Sequence, residues 1–89
     1  MANGRNSGDI EYKVVDKVGV IANYSTGWNK ELNIISWNGG NPKFDIRDWD
    51  QEHEHMSRGV TLHEKEAARL MELLTARLAA AKTAEVAES

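Results

Sequence analysis

An 89-residue chain with a net charge of −3 and no cysteine has room for one small domain and excludes disulfides and thiolate metal sites. The acidic balance argues against a protein that coats nucleic acid through bulk charge, so any nucleic-acid surface has to gather its cations locally. No apolar run approaches the about 20 residues that a membrane helix needs, and the polar N-terminus lacks the hydrophobic core of a signal peptide. We therefore expect a cytoplasmic protein with no membrane contact.

Two β-strands are predicted in the first half of the chain. Residues 1–9 are polar and contain glycine, which predicts a disordered N-terminal segment. The β-rich run over residues 10–22 predicts the first strand, and Gly19 inside it predicts a bulge or a sharp bend. Turn residues at 23–27 separate it from a second strand over about residues 28–37.

The third predicted strand, Lys43–Trp49, follows a hairpin turn at residues 38–42 and carries the strongest functional signal. Successive side chains of a strand point to opposite faces, so Phe44 and Ile46 share one face. The other face carries two cations, a carboxylate and an indole, namely Lys43, Arg47, Asp45 and Trp49. We interpret this second face as solvent-exposed and suited to phosphates and unstacked bases, with Asp45 in a structural role. The alternative is a solvated edge with Trp49 tucked under a loop.

A polar loop over residues 50–57 and a short last strand, Arg58–Thr61, lead into the predicted helix. Thr61–Glu64 has the capping-box pattern, in which a threonine and a glutamate three residues later satisfy free amides of the first turn. The helix is predicted from Leu62 to about Lys82. Its apolar stripe recurs at helical spacing, as Ala67, Leu70, Met71, Leu74, Leu78 and Ala81.

The predicted fold is therefore α+β, a four-stranded antiparallel sheet followed by one long C-terminal helix (ββββα). We divide the chain into a disordered segment (residues 1–9), a binding domain (residues 10–82) and a frayed tail (residues 83–89). One helix covers only part of one face of such a sheet, and a chain this short builds little core by itself. We therefore expect a homodimer.

Catalytic and metal sites have little support in the sequence. His53, Glu54 and His55 lie near other carboxylates, but their spacing matches no zinc or calcium template. No nucleophile motif or phosphate-binding loop is present, and a sheet with one helix offers little cleft for acid–base chemistry. We expect no enzymatic activity, no metal and no cofactor, and we interpret the histidine loop as a solvated connection.

Three tryptophans stand out in so short a chain. Each of them can be core, which is the ordinary place for an indole. Their neighbours favour binding, because Trp28 precedes Asn29 and Lys30, and Trp49 follows Arg47. Base–aromatic stacking contributes about 1–3 kcal/mol per base and tolerates any base, so a few such rings and cations suffice for single strands.

The ordered set of these motifs resembles a known family. Its residues are Gly27-Trp28-x-Lys30-Glu31-Leu32-Asn33, Ser36-Trp37-Asn38, Pro42-Lys43 and Asp45-Ile46-Arg47-x-Trp49, with Gly59-Val60-Thr61-Leu62 before the helix. This pattern resembles the C-terminal domain of the transcriptional coactivator Positive Cofactor Four, and more closely its bacterial YdbC-like relatives. The resemblance covers roughly residues 11–75.

The resemblance implies a ββββα homodimer whose sheets form grooves for single-stranded DNA, largely without sequence preference. Trp49 resembles the stacking aromatic after the Asp-Ile-Arg strand, and Arg58 resembles the basic residue before the glycine of the last strand. The eukaryotic relatives are more basic in the loop over residues 51–56, which here is acidic and rich in histidine.

Our leading hypothesis is a homodimeric, single-stranded DNA-binding protein linked to transcription regulation or DNA maintenance. The expected nucleic-acid contacts are aromatic and basic, namely Trp28, Trp37 and Trp49 with Lys13, Lys30, Lys43, Arg47 and Arg58. Single-stranded RNA is an alternative ligand, because nothing in the sequence identifies a contact to a 2′-hydroxyl. A second hypothesis is a protein-interaction adaptor whose exposed tryptophans bind a partner.

Overall fold

Four antiparallel strands followed by one helix form the described chain, which confirms the predicted α+β fold and its ββββα order. The computed structural model describes residues 10–88, with side chains described for residues 10–81. The elements are β1 (Tyr12–Asn23), β2 (Asn29–Trp37), β3 (Lys43–Trp49), β4 (Val60–Leu62) and α1 (Glu64–Glu88). Each strand pairs with its neighbour in sequence, in the order β1-β2-β3-β4. No helix in this part of the chain is long and apolar enough to cross a membrane.

The helix begins two residues later than the capping pattern predicts. Thr61 lies within β4, where its hydroxyl donates a hydrogen bond to Asp45 Oδ2 at 3.1 Å. The cap is formed further along the chain, because Glu66 Oε1 accepts the backbone N–H of His63 at 2.8 Å. The predicted capping box at Thr61 is therefore wrong, although the same type of interaction starts the helix at His63.

The C-terminal end of the helix also differs from the prediction. The backbone remains helical to Glu88, past the predicted end near Lys82. Side chains are described as far as residue 81, so those of the predicted frayed tail, residues 83–89, lie outside the described ones, as does the whole of the predicted disordered segment, residues 1–9.

Three β-bulges give β1 its shape. Twelve residues of β1 run beside nine residues of β2, and the register shifts three times. The additional, unpaired residues are Val15, Val18 and Ile21. The bulge predicted at Gly19 is therefore confirmed, and it lies one residue earlier, at Val18. Each bulge bends the strand and increases its twist. Each bulge also shifts by one residue the alternation of side chains between the two faces of the sheet. Lys17 therefore pairs with Asn33 and lies on the face that carries Tyr12, whereas uninterrupted alternation from Tyr12 would place it on the opposite face.

The sheet curls so strongly that aromatic side chains from its two ends, as measured along β2, meet on one side. Tyr12 pairs with Trp37 at one end of β2, and Trp49 pairs with Asn29 at the other end. The ring of Tyr12 nevertheless lies 5.6 Å from the ring of Trp37 and 5.7 Å from that of Trp49. We call this enclosed side the inner face. Directly paired residues share a face, so its members in β2 and β3 are Asn29, Glu31, Asn33, Ile35, Trp37, Lys43, Asp45, Arg47 and Trp49.

The small core lies on the inner face. Ile35 and Trp49 are its fully buried hydrophobic residues, and Asn33 and Asp45 are buried beside them. The predicted division of β3 into two faces is confirmed, but the interpretation of this face as solvent-exposed is wrong for Asp45 and Trp49. The physical reason is the curl of the sheet, which brings the strands around the inner face and excludes solvent from Asp45 and Trp49. The alternative that Trp49 is covered by a loop describes the structure better.

The opposite side of the sheet, the helix face, carries an open apolar groove of about 550 Å³ between the sheet and α1. Its lining includes Leu32, Phe44, Ile46, Leu70, Met71, Leu74 and Leu78, so the predicted helical stripe does face this side. Within the described residues α1 contacts the sheet along β3 and β4 alone. The groove is therefore uncovered, and Met71 and Leu78 remain 64% and 66% exposed.

Gly59 supports a close approach of the chain to β3, and we predict that Gly59→Ala destabilises the fold. A Cβ at this position would lie less than 3.0 Å from Arg47 side-chain atoms and the Ile46 carbonyl oxygen. Forcing an added carbon into packed surroundings costs about 1–3 kcal/mol, to be measured as the free energy of unfolding in urea. Gly19→Ala is the control, because no atom lies within 4 Å of its added Cβ. Equal stability of the two variants would contradict this account.

Candidate nucleic-acid interface

Trp49 is the most enclosed aromatic residue of the inner face. It ends β3, pairs with Asn29 and forms a bridge to Met56 across the following loop. The ring of His53 stacks on the indole with 3.9 Å between centroids and 5° between planes. Trp49 is fully buried, and its Nε1–H has no hydrogen-bond partner among the described residues. In this conformation the ring predicted to stack on bases is covered by the protein's own imidazole.

Trp37 and Tyr12 form the more accessible part of the aromatic cluster. Trp37 is half-buried, although its Nε1 atom is buried and has no partner among the described groups. Tyr12 lies against both indoles, tilted by 46° and 52°, and is 36% exposed. Tyr12 was absent from the predicted contacts, because its position depends on the curl of β1. It nevertheless presents the most exposed ring of the three.

The guanidinium of Arg47 is held by protein groups. Its Nε and Nη2 donate to the two carboxylate oxygens of Asp45 at 2.5 and 2.7 Å, and Nη1 donates to the carbonyl oxygen of Ser57 at 3.3 Å. The same group lies 4.7 Å from the ring centroid of Trp37, a cation–π geometry. The Arg47 side chain is 13% exposed and that of Asp45 is fully buried. Arg47 therefore stabilises the inner face from a largely buried position.

Two lysines of the inner face have neither a hydrogen bond nor an ion pair among the described side chains, although the charge of Lys17 contributes to lowering the pKa of Glu31. Lys43 pairs with Ile35 and Lys17 pairs with Asn33, on the two strands that flank β2. With no such partner among the described side chains, both lysines are available to an anion. Lys17 was not predicted, because the bulge at Val15 moves it to this face.

The other predicted cations do not join this group. Lys13 pairs with Ser36 on the helix face, and Lys30 is on the same side, where its Nζ donates to Asp48 Oδ1 at 2.8 Å. That hydrogen bond raises the pKa of Lys30. Arg58 is exposed just before Gly59 and has no ion-pair partner among the described residues. Trp28 is half-buried in the turn before β2. The eight predicted residues therefore occupy both sides of the sheet.

The loop after β3 is closed by Asp50. Its Oδ1 accepts the backbone N–H groups of Glu54 and His55 at 2.8 and 3.0 Å, and its Oδ2 lies 2.7 Å from Nδ1 of His55. These bonds, led by those from His55, lower the pKa of Asp50 to about 2. The hydrogen bond and charge of Asp50 in turn raise the pKa of His55. No group of three or more metal-ligating side chains occurs within the described residues.

Glu31 connects this loop to the sheet. Its Oε1 lies 2.9 Å from Nε2 of His53 and accepts a hydrogen bond from Asn33 Nδ2 at 3.1 Å. Burial opposes ionisation of Glu31, but the hydrogen bonds from Asn33 and His53 outweigh it and lower its pKa. The carboxylate of Glu31, like that of Asp45, is thus engaged by neighbouring protein groups.

Comparison with known proteins gives two matches. Residues 24–73 match the family model described as Transcriptional Coactivator p15 (PC4). The chain belongs to this family. A curated protein of Treponema pallidum (strain Nichols), itself described as uncharacterized, is 41% identical over 66 residues, which cover 74% of this chain and 78% of that protein.

Membership in the PC4 family supports single-stranded DNA binding in general. The matched stretch contains β2, β3, β4 and the start of α1, and with them Trp37, Lys43, Arg47 and Trp49. It begins after β1, so Tyr12 and Lys17 lie outside it. The family pattern therefore gives no information on those two residues, and the curled sheet is the observation that identifies them.

We predict that Arg47→Gln lowers the free energy of unfolding by about 3–5 kcal/mol, because it leaves the buried Asp45 carboxylate without its charged partner. Urea denaturation followed by circular dichroism measures the change. Lys43→Gln is the matched control on the same strand and face, and it should change stability by no more than about 0.5 kcal/mol. A loss below about 1 kcal/mol for Arg47→Gln would show that the pair does not hold the inner face.

Proposed function

We propose that the protein binds single-stranded DNA on the accessible rim of the inner face, with little sequence preference. The rim consists of Tyr12, Lys17, Trp37 and Lys43. The observation that carries the proposal is the presence of two lysines, neither hydrogen-bonded nor ion-paired among the described residues, beside an aromatic cluster with an exposed ring. Cations that meet phosphates and rings that meet bases are what single-strand binding requires. Family membership supports the same assignment.

Local charge reconciles this proposal with an acidic chain. Within β1–β3 the inner face carries three cationic side chains (Lys17, Lys43 and Arg47) and two carboxylates (Glu31 and Asp45), a formal net charge of +1. Both carboxylates are engaged by protein donors, and so is Arg47, whereas neither lysine has a hydrogen bond or ion pair among the described side chains. The cations of this side that are available to a ligand are therefore Lys17 and Lys43. Lys13 and Arg58 are further exposed cations that we assign to phosphates beyond the rim.

Two finer assignments follow from the same considerations. The family description as a transcriptional coactivator makes transcription regulation the process that we propose, ahead of DNA maintenance. An adaptor that uses exposed tryptophans has less support, because Trp28 and Trp37 are half-buried and Trp49 is fully buried. Single-stranded RNA remains a competitor to be compared directly with DNA.

We also propose that the protein functions as a homodimer in which a second copy covers the helix-face groove. Leu74 and Leu78 are more than half exposed although they line this groove. Burying apolar surface contributes roughly 25 cal/mol per Å², so covering a groove of this kind provides a strong driving force for association. A self-complementary contact between two copies of the same face is the commonest form of oligomer.

Salt-dependent binding tests the single-strand proposal. We expect labelled oligo-dT to bind at low salt, with fluorescence anisotropy as the readout and RNA and duplex DNA as competitors. Each phosphate contact contributes about −0.7 to the slope of log K against log salt for single strands. Lys17→Gln and Lys43→Gln should each weaken binding and reduce the magnitude of that slope by about 0.7. Lys65→Gln, an exposed change on α1, is the control and should alter neither quantity.

Two outcomes would contradict that proposal. One is absence of oligo-dT binding by the folded protein at low salt. The other is an unchanged salt slope in both lysine variants, which would place the phosphates elsewhere on the molecule.

Two neighbouring leucines of α1 provide a matched test of the dimer. Leu73 and Leu74 are both 51% exposed, but Leu74 lines the groove and Leu73 does not. We expect sedimentation equilibrium to give a mass of two chains for the wild type and for Leu73→Arg, and of one chain for Leu74→Arg, whose charge would be buried in the interface. A monomeric wild type at micromolar concentration would disprove the assignment.

A further inference from the structure

The contact between His53 and Trp49 differs from the other aromatic contacts of the protein. The two rings are parallel within 5° and their centroids are 3.9 Å apart. The contacts of Tyr12 with the two indoles are tilted and longer, at 5.6 and 5.7 Å. A flat, nitrogen-containing ring stacked at this distance has the geometry that a nucleobase adopts on an aromatic side chain.

The imidazole is held in this position by groups outside its own loop. His53 Nε2 lies 2.9 Å from Glu31 Oε1 in β2, and Glu31 is itself oriented by Asn33. The backbone of His53 is in the left-handed region, at φ 62°. Residues other than glycine adopt that conformation at a cost in free energy, and it persists where the surroundings impose it. The stack is therefore a specified contact of the fold.

We propose that the imidazole of His53 occupies a nucleobase-binding position on Trp49, so that a base stacks there only after this ring has moved aside. This inference rests on the proposed single-strand binding and adds to it a second site, deeper than the rim. In the conformation described here the rim is open and the Trp49 site is closed by the protein itself. His53 thus acts as an internal competitor for bases.

The Trp49 site also offers a hydrogen-bond donor. Its Nε1–H is buried and has no partner among the described residues. Buried donors normally have an acceptor, so an acceptor that arrives with a ligand would satisfy this one. Trp37 Nε1 has the same status, so this observation adds a donor at the edge of the indole and does not by itself identify a ligand.

In this proposal the His53 side chain moves while the loop that carries it stays closed. The ends of the loop are tied by backbone hydrogen bonds, from Asp50 N to His55 O at 3.1 Å and from Ser57 N to Asp48 O at 3.0 Å. The imidazole, by contrast, is 23% exposed and has solvent on one side. Rotation of this side chain would remove the imidazole from the face of Trp49 and break the Glu31 contact without opening the loop.

Substitution of His53 gives the direct test. His53→Gly removes the ring and relieves the left-handed backbone, since glycine adopts positive φ readily. We expect its affinity for oligo-dT to rise about fivefold or more, the factor that corresponds to the lower end of base-stacking strength. An abasic oligomer of the same length presents the same phosphates and no bases, so its affinity should not change. His55→Ala is the control in the same loop, because His55 is 73% exposed and contacts Asp50 instead of an indole.

A second variant protects the test against a folding defect. His53→Asn keeps a residue that tolerates the left-handed region, but its small amide leaves most of the indole uncovered. The same selective gain for oligo-dT is expected, and thermal unfolding confirms that each variant is folded.

The outcomes separate the two proposals. If neither the wild type nor any variant binds oligo-dT at low salt, the proposed function itself fails. If the wild type binds and the His53 variants bind oligo-dT no better than it does, the inference about His53 is overturned while single-strand binding stands. An equal gain for the abasic oligomer would likewise overturn it, because the effect would then act on phosphates.

Discussion

The buried pair of Asp45 and Arg47 is the interaction on which the rest of the inner face depends. A carboxylate with no solvent exposure is tolerated only when a cation and hydrogen-bond donors satisfy it, and Arg47 and Thr61 do so. The same guanidinium reaches the Ser57 carbonyl and the face of Trp37. It therefore connects β3 with the end of β2 and with the segment before β4. A lysine presents a point charge without this planar fork of donors and would not make the same set of contacts.

The sequence predicted the order of elements but not the curvature of the sheet. Alternation in β3 correctly assigned Phe44 and Ile46 to one face and Asp45 and Trp49 to the other, because it depends on strand geometry alone. Which of the two faces is exposed to solvent depends on the bulges of β1. Of these three bulges, only the one beside Gly19 has a signal in the sequence. Lys17 and Tyr12 were missed for this reason. The helix start was displaced because Thr61, a good cap in isolation, serves the buried Asp45 instead.

The curl also explains why the chain has two unequal faces. The bulky aromatic side chains of the inner face enclose only a small volume. The core therefore consists of Ile35 and Trp49 with two buried polar residues, Asn33 and Asp45. The aliphatic residues of the helix face contribute little to that core, and α1 covers them incompletely. A domain of this length buries a modest fraction of its surface. The association that we propose through the helix face and the ligand binding that we propose through the inner face therefore use separate sides of one sheet and would not compete.

Binding at the inner face, as we propose it, would favour single strands over duplexes for a reason independent of net charge. At physiological salt, charges separated by more than about 8 Å are largely screened, so the overall charge of −3 would matter less than the two lysines next to a bound strand. A flexible strand can place its phosphates at Lys17 and Lys43 while it turns a base toward the aromatic cluster. A duplex keeps its bases stacked and paired, and removing one costs a few kcal/mol. Because the lysines and the rings lie on the same curled surface, the aromatic contribution is available only to a strand whose bases are already free.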